Sequence, residues 1–314
     1  MSLETDLLLD RRRLKRRLSL WRAVAVLAVL LAALAAVGRF GGFERAHIAR
    51  LTVSGLITDD RALADRVRKL ADDSRVRALL VEIDSPGGSV AGGEELHDAI
   101  AAVAAKKPVA AVMQGLAASA GYMIAVPAER IFARGTTLTG SIGVLLESGE
   151  VSGLLSRIGV SAETIVSGPL KDQPSLTHPL SAQGRQVLQD IVMDIYGQFV
   201  GMVAAGRHMD PARVRELGDG RAYTGRQALG LGLIDAIGGE AEARDWLAAA
   251  HHIPRSTPVE GMERTTLAER ALGASLGPLW QATMKTLASQ ALRLDGAWAI
   301  WQPGLWADEG AGTR

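Results

Sequence analysis

Ala78-Leu79-Leu80-Val81-Glu82-Ile83-Asp84-Ser85-Pro86-Gly87-Gly88-Ser89 decides how the rest of this chain is read. The run from Ala78 to Ile83 is apolar on consecutive positions, with Glu82 its one interruption. That pattern describes a strand buried on both faces, as in parallel sheets. The strand stops at Asp84, and Pro-Gly-Gly then permits a sharp turn. Two adjacent glycines also let backbone N–H groups face a cleft and hold a developing oxyanion. A plain tight turn before a helix fits the same residues, and the segment alone does not choose between them.

Working outward, the neighbours repeat one unit. His47 to Ile57, with Leu51 and Val53 two apart, predicts a strand. Thr58, Asp59 and Asp60 supply a cap for a helix carrying Leu63, Val67 and Leu70 on one face. A second helix is predicted over Glu94 to Lys107, and a third apolar strand over Pro108 to Gln114. Strands alternating with helices at this spacing imply an α/β fold with parallel pairing and right-handed crossovers. Farther on, a helix from Ser181 to Arg207 aligns Val187, Ile191, Ile195 and Phe199, and Asp210-Pro211 opens a short helix with a cap and first-turn proline.

Composition bounds the function. The chain has 314 residues, of which 48% are hydrophobic and only 4% aromatic, so a large aliphatic core is available. Lys+Arg number 35 against 34 Asp+Glu, a net charge of +1 that argues against a general nucleic-acid binder. Without cysteine there is no disulfide framework, thiolate metal site or cysteine nucleophile. The charge is uneven, however. Arg11, Arg12, Arg13, Lys15, Arg16, Arg17 and Arg22 precede an apolar run from Ala23 to Gly38. With Leu18, Leu20 and Trp21 it reaches the roughly 20 residues a membrane helix needs, provided that Arg22 snorkels. Residues 1–22 therefore read as a basic cytoplasmic segment and 23–40 as a transmembrane signal anchor, with the catalytic part exported. A cleaved signal peptide ending near Ala33-Leu34-Ala35 is the rival. Residues 251–314 carry Trp280, Trp298, Trp301 and Trp306 with scattered Gly and Pro, and form a tail without an assigned role.

A second loop bears on chemistry: Gly115-Leu116-Ala117-Ala118-Ser119-Ala120-Gly121-Tyr122. Ser119 lies just past the third strand among small residues, which exposes its hydroxyl as a nucleophile. A helix N-cap is the plainer role for such a serine. A serine nucleophile needs a base. No histidine lies between Ser119 and Thr177, and His178 sits in a Thr-His-Pro turn. Only six basic residues are lysine, and Lys171 stands in the loop Gly168-Pro169-Leu170-Lys171-Asp172. Arg cannot give up its proton in a protein, whereas a buried Lys can have its pKa lowered and act as a base.

At these residues the chain resembles the signal peptide peptidase A family of membrane-anchored bacterial serine peptidases. The matching segments are Glu82 to Val90, Ala117 to Tyr122, Thr139-Gly140-Ser141-Ile142-Gly143-Val144 and Gly168-Pro169-Leu170-Lys171. Tyr223-Thr224-Gly225-Arg226-Gln227-Ala228-Leu229 and Gly232-Leu233-Ile234-Asp235 complete the set, in the family's order across residues 47–250. The resemblance implies a ClpP- and crotonase-like spiral of βα units over 47–250. It implies Ser119 as nucleophile, Lys171 as general base, and an oxyanion hole from Gly88, Gly87 and the Ala120 N–H, with no metal or cofactor. It further implies homo-oligomeric rings in which a short member such as this one shares the Ser–Lys dyad between subunits. Its substrates would be cleaved signal peptides at the inner membrane. An acyl-CoA hydratase or hydrolase on a crotonase-like fold, a Ser–His–Asp peptidase and an inactive ring-forming scaffold are the competing readings. The loop after Lys171 is the least distinctive match, and the Trp-rich tail has no counterpart in the pattern.

Overall fold

The apolar run around Leu80 is strand β2 (Val76–Ser85) in the computed structural model. The structure describes residues 21–22, 24–29 and 46–262 and the backbone of 298–300. It falls into two units, 1–45 and 46–314. In the first, residues 21–22 and 24–29 are helical and exposed. Residues 1–20 of the basic segment, the remainder of the span expected over 23–40, and Trp280, Trp301 and Trp306 of the tail lie outside the described residues.

Strand β2 explains its own composition. Ala78, Leu79, Leu80, Val81 and Ile83 are each 1% exposed or less. Leu79, Val81 and Ile83 point into the larger core, while Ala78 and Leu80 point into a second cluster with Phe132, Ala243 and Leu247. Apolar layers on both faces require apolar residues at both parities, so the run is unbroken. Strand β2 is flanked in parallel by β1 (His47–Ser54) and β4 (Val109–Ala118). Strand β9 (Val259–Gly261) adds in parallel to the outer edge of β1, so the sheet takes in residues beyond 250.

Strand β4 outlasts its expected end at Gln114 because it serves two neighbours in turn. Its first half pairs with β5 (Arg130–Ala133), and Leu116–Ala118 pair with β6 (Leu138–Gly140). Strand β7 (Ala222–Thr224) lies antiparallel on β6, and β8 (Ala236–Ile237) parallel on β5. Apart from this sheet, β3 (Gly87–Ser89) forms a parallel bridge with Ile57 and pairs antiparallel with β10 (Trp298–Ile300).

Helix α1 (Arg61–Leu70) starts at the expected cap, with Asp60 Oδ1 accepting from Leu63 N at 2.9 Å. Helix α2 (Val90–Ala104) begins four residues before the expected Glu94. Ser89 is its N-cap, accepting from Gly92 N at 3.3 Å while its hydroxyl donates to Asp59 Oδ1 at 2.6 Å. The glycines that read as loop are needed for packing: a Cβ on Gly92 would sit 2.5 Å from the Thr58 carbonyl oxygen. Helix α3 (Ala120–Met123) follows β4, and α4 (Ser152–Arg157) lies in the segment after β6.

Helix α5 (Ala182–Arg207) departs from the expected single buried face. Phe199, Val200, Val203 and Ala204 are in the core, yet Val187 is 38% and Ile191 45% exposed. The C-terminal half belongs to the domain, and the N-terminal half projects from it. Among the described residues, α5 is the one helix long and apolar enough to span a membrane, a test that core helices also pass. Its end is fastened by Arg207, which donates to both carboxylate oxygens of Asp235 at 2.6 and 3.0 Å. Helices α6 (Pro211–Leu217), α7 (Gly225–Gly230) and α8 (Glu240–His251) complete the chain. The Asp210 cap and first-turn proline of α6 are as the sequence predicts.

Candidate active site

Ser119 stands where β4 turns into α3, with φ 56° and ψ −119°. Such a backbone is strained for any residue with a Cβ and persists only when its surroundings enforce it. A strained strand-to-helix turn is also how α/β-hydrolases present a serine nucleophile. Here the enforcement is visible. Ser119 N donates to Gly140 O at 2.8 Å, and Ser119 O accepts from Tyr122 N and Met123 N at 2.9 Å. Tyr122 is fully buried and its hydroxyl donates to Leu233 O at 2.8 Å, tying the turn to the far Gly232–Asp235 motif. Burial pushes the Tyr122 phenol above its ordinary range, so it stays a neutral donor. Tyr122→Phe leaves the Leu233 carbonyl unpaired and is expected to cost about 1–3 kcal/mol, read as a lower urea midpoint at unchanged m-value.

The Ser119 hydroxyl itself is unengaged. The residue is 1% exposed, and its Oγ has no hydrogen-bond partner among the described residues. It makes no capping bond to α3, so the plainer role open to it in the sequence is not the one it plays. A buried polar atom left unsatisfied costs stability, which marks the position as held for another purpose.

The second loop is drawn against the first. Ser85 pairs with Ala117, and Asp84 Oδ1 accepts from Leu116 N at 3.1 Å. A Cβ on Gly121 would lie 2.9 Å from the Ser85 carbonyl oxygen, which is why the residues around Ser119 are small. In the Gly-Gly turn, Gly87 N donates to Ser85 Oγ at 3.1 Å. Ile57 N donates to Gly87 O at 2.9 Å, and Ser89 N to Ile57 O at 2.8 Å. In a parallel bridge of this kind the middle residue turns its own N–H and C=O the other way. Gly88 therefore presents both to the edge away from Ile57.

Some residues that the sequence marked only as parts of matching segments take a role here. Gly140, at φ 78°, offers the carbonyl that anchors Ser119, and the Tyr223 ring stands where a Gly140 Cβ would be, 2.7 Å away. Tyr223 is held in turn by its hydroxyl on Leu217 O at 2.9 Å. Ser141 follows with φ 46° and is buried, a second strained serine beside the first. The Thr-Gly-Ser and Tyr-Thr-Gly motifs thus work as one brace behind the turn.

Lys171 is not brought to Ser119 within the chain. Its side chain is exposed and makes no hydrogen bond or ion pair among the described residues, while its backbone N donates to Gly168 O at 3.1 Å. His178 is in the same loop, with Nδ1 3.0 Å from Thr177 Oγ1 and 3.6 Å from Asp172 Oδ2, and also stays apart from Ser119. Around this loop apolar side chains face solvent: Leu154, Ile158, Ile165 and Leu176 are 61%, 64%, 94% and 62% exposed. A cavity of about 490 Å³ opens beside them, walled by Leu146, Leu188 and Val192 together with the polar Glu150, Arg185 and Gln189.

Comparison with known proteins identifies relatives of this chain. Residues 101–253 match Peptidase family S49. A provisionally named protease of Synechocystis sp. is 42% identical over 205 residues, 65% of this chain and 74% of the relative. A provisionally named signal peptide peptidase SppA of Enterococcus faecium is 35% identical over 268 residues, 80% of this chain and 77% of the relative. The chloroplastic serine protease SPPA of Arabidopsis thaliana is 32% identical over 209 residues, 66% of this chain and 31% of the relative. Among solved structures, a ClpP1 mutant from Listeria monocytogenes matches with a TM-score of 0.40 and 18% identity, covering 60% of this chain and 91% of that one.

Proposed function

Because the chain belongs to Peptidase family S49, as a serine peptidase of the signal peptide peptidase A type, we propose that Ser119 is its nucleophile and Lys171 of a neighbouring copy its general base. The observation that carries this reading is the Ser119 turn, whose strained backbone is braced from three sides around a buried, unengaged hydroxyl. The lysine supports it from the other direction. Lys171 lies on a projecting segment surrounded by exposed apolar side chains, so a second copy docking there would bury the lysine and supply the missing base together.

The reaction is acyl transfer. Neutral Lys171 Nζ takes the Ser119 hydroxyl proton as Oγ attacks the peptide carbonyl carbon. The tetrahedral oxyanion is held by the N–H groups of Gly88 and Ala120. The Gly87 N–H is already committed to Ser85 Oγ, so Gly87 contributes the turn rather than a donor. Collapse expels the amine, which takes the proton back from Nζ, and leaves an ester on Ser119. Water then attacks that ester, giving its proton to Lys171, and collapse releases the acid as Ser119 Oγ takes that proton back from Nζ.

Substrates are extended apolar peptides, released signal peptides first among them. Residues 23–40 anchor the chain in the inner membrane with residues 1–22 in the cytoplasm and the peptidase domain, 47–250, outside. Holding enzyme and apolar substrate in one bilayer raises their effective concentration. The test is incubation of the full chain, in detergent, with a synthetic signal peptide and mass spectrometry of the products. Internal cleavage within the apolar core is expected. An intact peptide from folded protein, or hydrolysis of an acyl-CoA instead, overturns the reading.

A further inference from the structure

The edge of β3 that faces away from Ile57 is not empty: residues 298–300 of the chain's own C-terminal segment lie on it as β10. The strands run antiparallel, with Trp298 opposite Ser89, Ala299 opposite Gly88 and Ile300 opposite Gly87. The two bonds to Ile57 use Gly87 O and Ser89 N, so Gly88 turns its N–H and C=O toward Ala299. An antiparallel pair with both residues turned inward is the kind that exchanges two N–H···O bonds.

That placement has a functional consequence. An extended peptide added to a sheet edge is recognised through the same main-chain groups, whatever its sequence. A substrate carbonyl that uses the Gly88 N–H and a tail carbonyl that uses it cannot both be present. We infer that segment 298–300 is a displaceable strand occupying the substrate edge of β3, and that peptides compete with it for the Gly88 N–H. The inference rests on the reading of Gly88 as an oxyanion donor. Competition of this kind multiplies the apparent affinity by the fraction of chains whose edge is free and leaves the chemical step untouched.

The test uses the full chain and Ala299→Pro, which removes the N–H opposite the Gly88 carbonyl and forbids the strand pairing. Two readouts are taken: amide exchange at Gly88, and steady-state cleavage of a fluorogenic apolar peptide. Exchange at Gly88 is expected to be slow in the wild type and faster in Ala299→Pro. KM is expected to fall severalfold with kcat unchanged, and Ala299→Ser, which keeps the N–H, to behave as wild type. A synthetic peptide of residues 294–304 is expected to restore the higher KM competitively. Equal exchange at Gly88 in the wild type and Ala299→Pro overturns the inference. So does faster exchange with KM unmoved. If neither chain cleaves, the peptidase reading fails on its own. Exchange at Gly88, with binding of the same apolar peptide labelled with a fluorophore, then decides the competition separately.

Discussion

Ser119→Ala and Lys171→Ala are each expected to be inactive on their own, yet cells producing both variants together should yield oligomers with measurable peptidase activity. Removing either member of a nucleophile–base unit costs about as much as removing the whole unit, so each variant should fall by roughly 10⁴-fold or more. In a mixed oligomer joined head to tail, a subunit that keeps Ser119 sits beside one that keeps Lys171 at about a quarter of the junctions, and recovery to that fraction is expected. The reason lies in the single chain: an orphaned hydroxyl deep in the domain, and a lysine on an exposed arm that shares no hydrogen bond with it. Differently tagged variants, purified over both tags in sequence, ensure that only mixed species are assayed. Mixed oligomers without activity, while wild type cleaves, would show that the pair is not divided between chains. Activity surviving in Lys171→Ala alone would move the base elsewhere, with His178 on the same loop the next residue to substitute.

The docking that this prediction requires was legible in the sequence only in part. The α/β alternation could be read because β1, β2, α1 and the C-terminal half of α5 bury apolar faces within their own chain, where periodicity reports burial. The first half of α5 shows the same periodicity, but Val187 and Ile191 face solvent. Periodicity states that a face is apolar and not which chain covers it. The early start of α2 escaped notice for a related reason. Gly92 and Gly93 look like loop residues, and only close packing, of Gly92 on the Thr58 backbone and of Gly93 on Ala120 and Met123, explains them. Ser119 and the Gly-Gly turn were identifiable as candidates from small residues after apolar strands. The brace behind them was visible only as matching segments without a role, since Gly140, Ser141 and Tyr223 act through a carbonyl, a backbone angle and a ring edge that local composition does not reveal. Nor does anything before residue 298 indicate that the tail returns to β3.

Gly88→Ala should cost about 10²–10³-fold in kcat while Gly115→Ala, in the neighbouring loop, stays within about twofold of wild type. An added Cβ at 88 would lie 2.0 Å from the Ile57 carbonyl oxygen and 2.6 Å from its nitrogen, both main-chain atoms that no rotamer change can move. The Ile57 backbone is fixed by its bonds to Gly87 O and Ser89 N, so relief has to come from β3 moving off its bridge. Such a shift carries the Gly88 N–H away from the carbonyl it polarises, and displacement of one donor in an oxyanion hole reaches that range. At Gly115 the nearest atom to an added Cβ is Asp84 Oδ1 at 3.5 Å, an ordinary contact. The loss at 88 should fall on kcat more than on KM, because the donor bonds to the oxyanion more strongly than to the ground-state carbonyl. Crowding at the site should lower stability by about 1–3 kcal/mol, so rates are compared at a temperature where both variants are folded. Full kcat in a folded Gly88→Ala enzyme would remove β3 from the oxyanion hole, leaving the Ala120 N–H and another donor to hold the charge. A loss confined to KM would instead make β3 a substrate-binding edge with no part in the transition state.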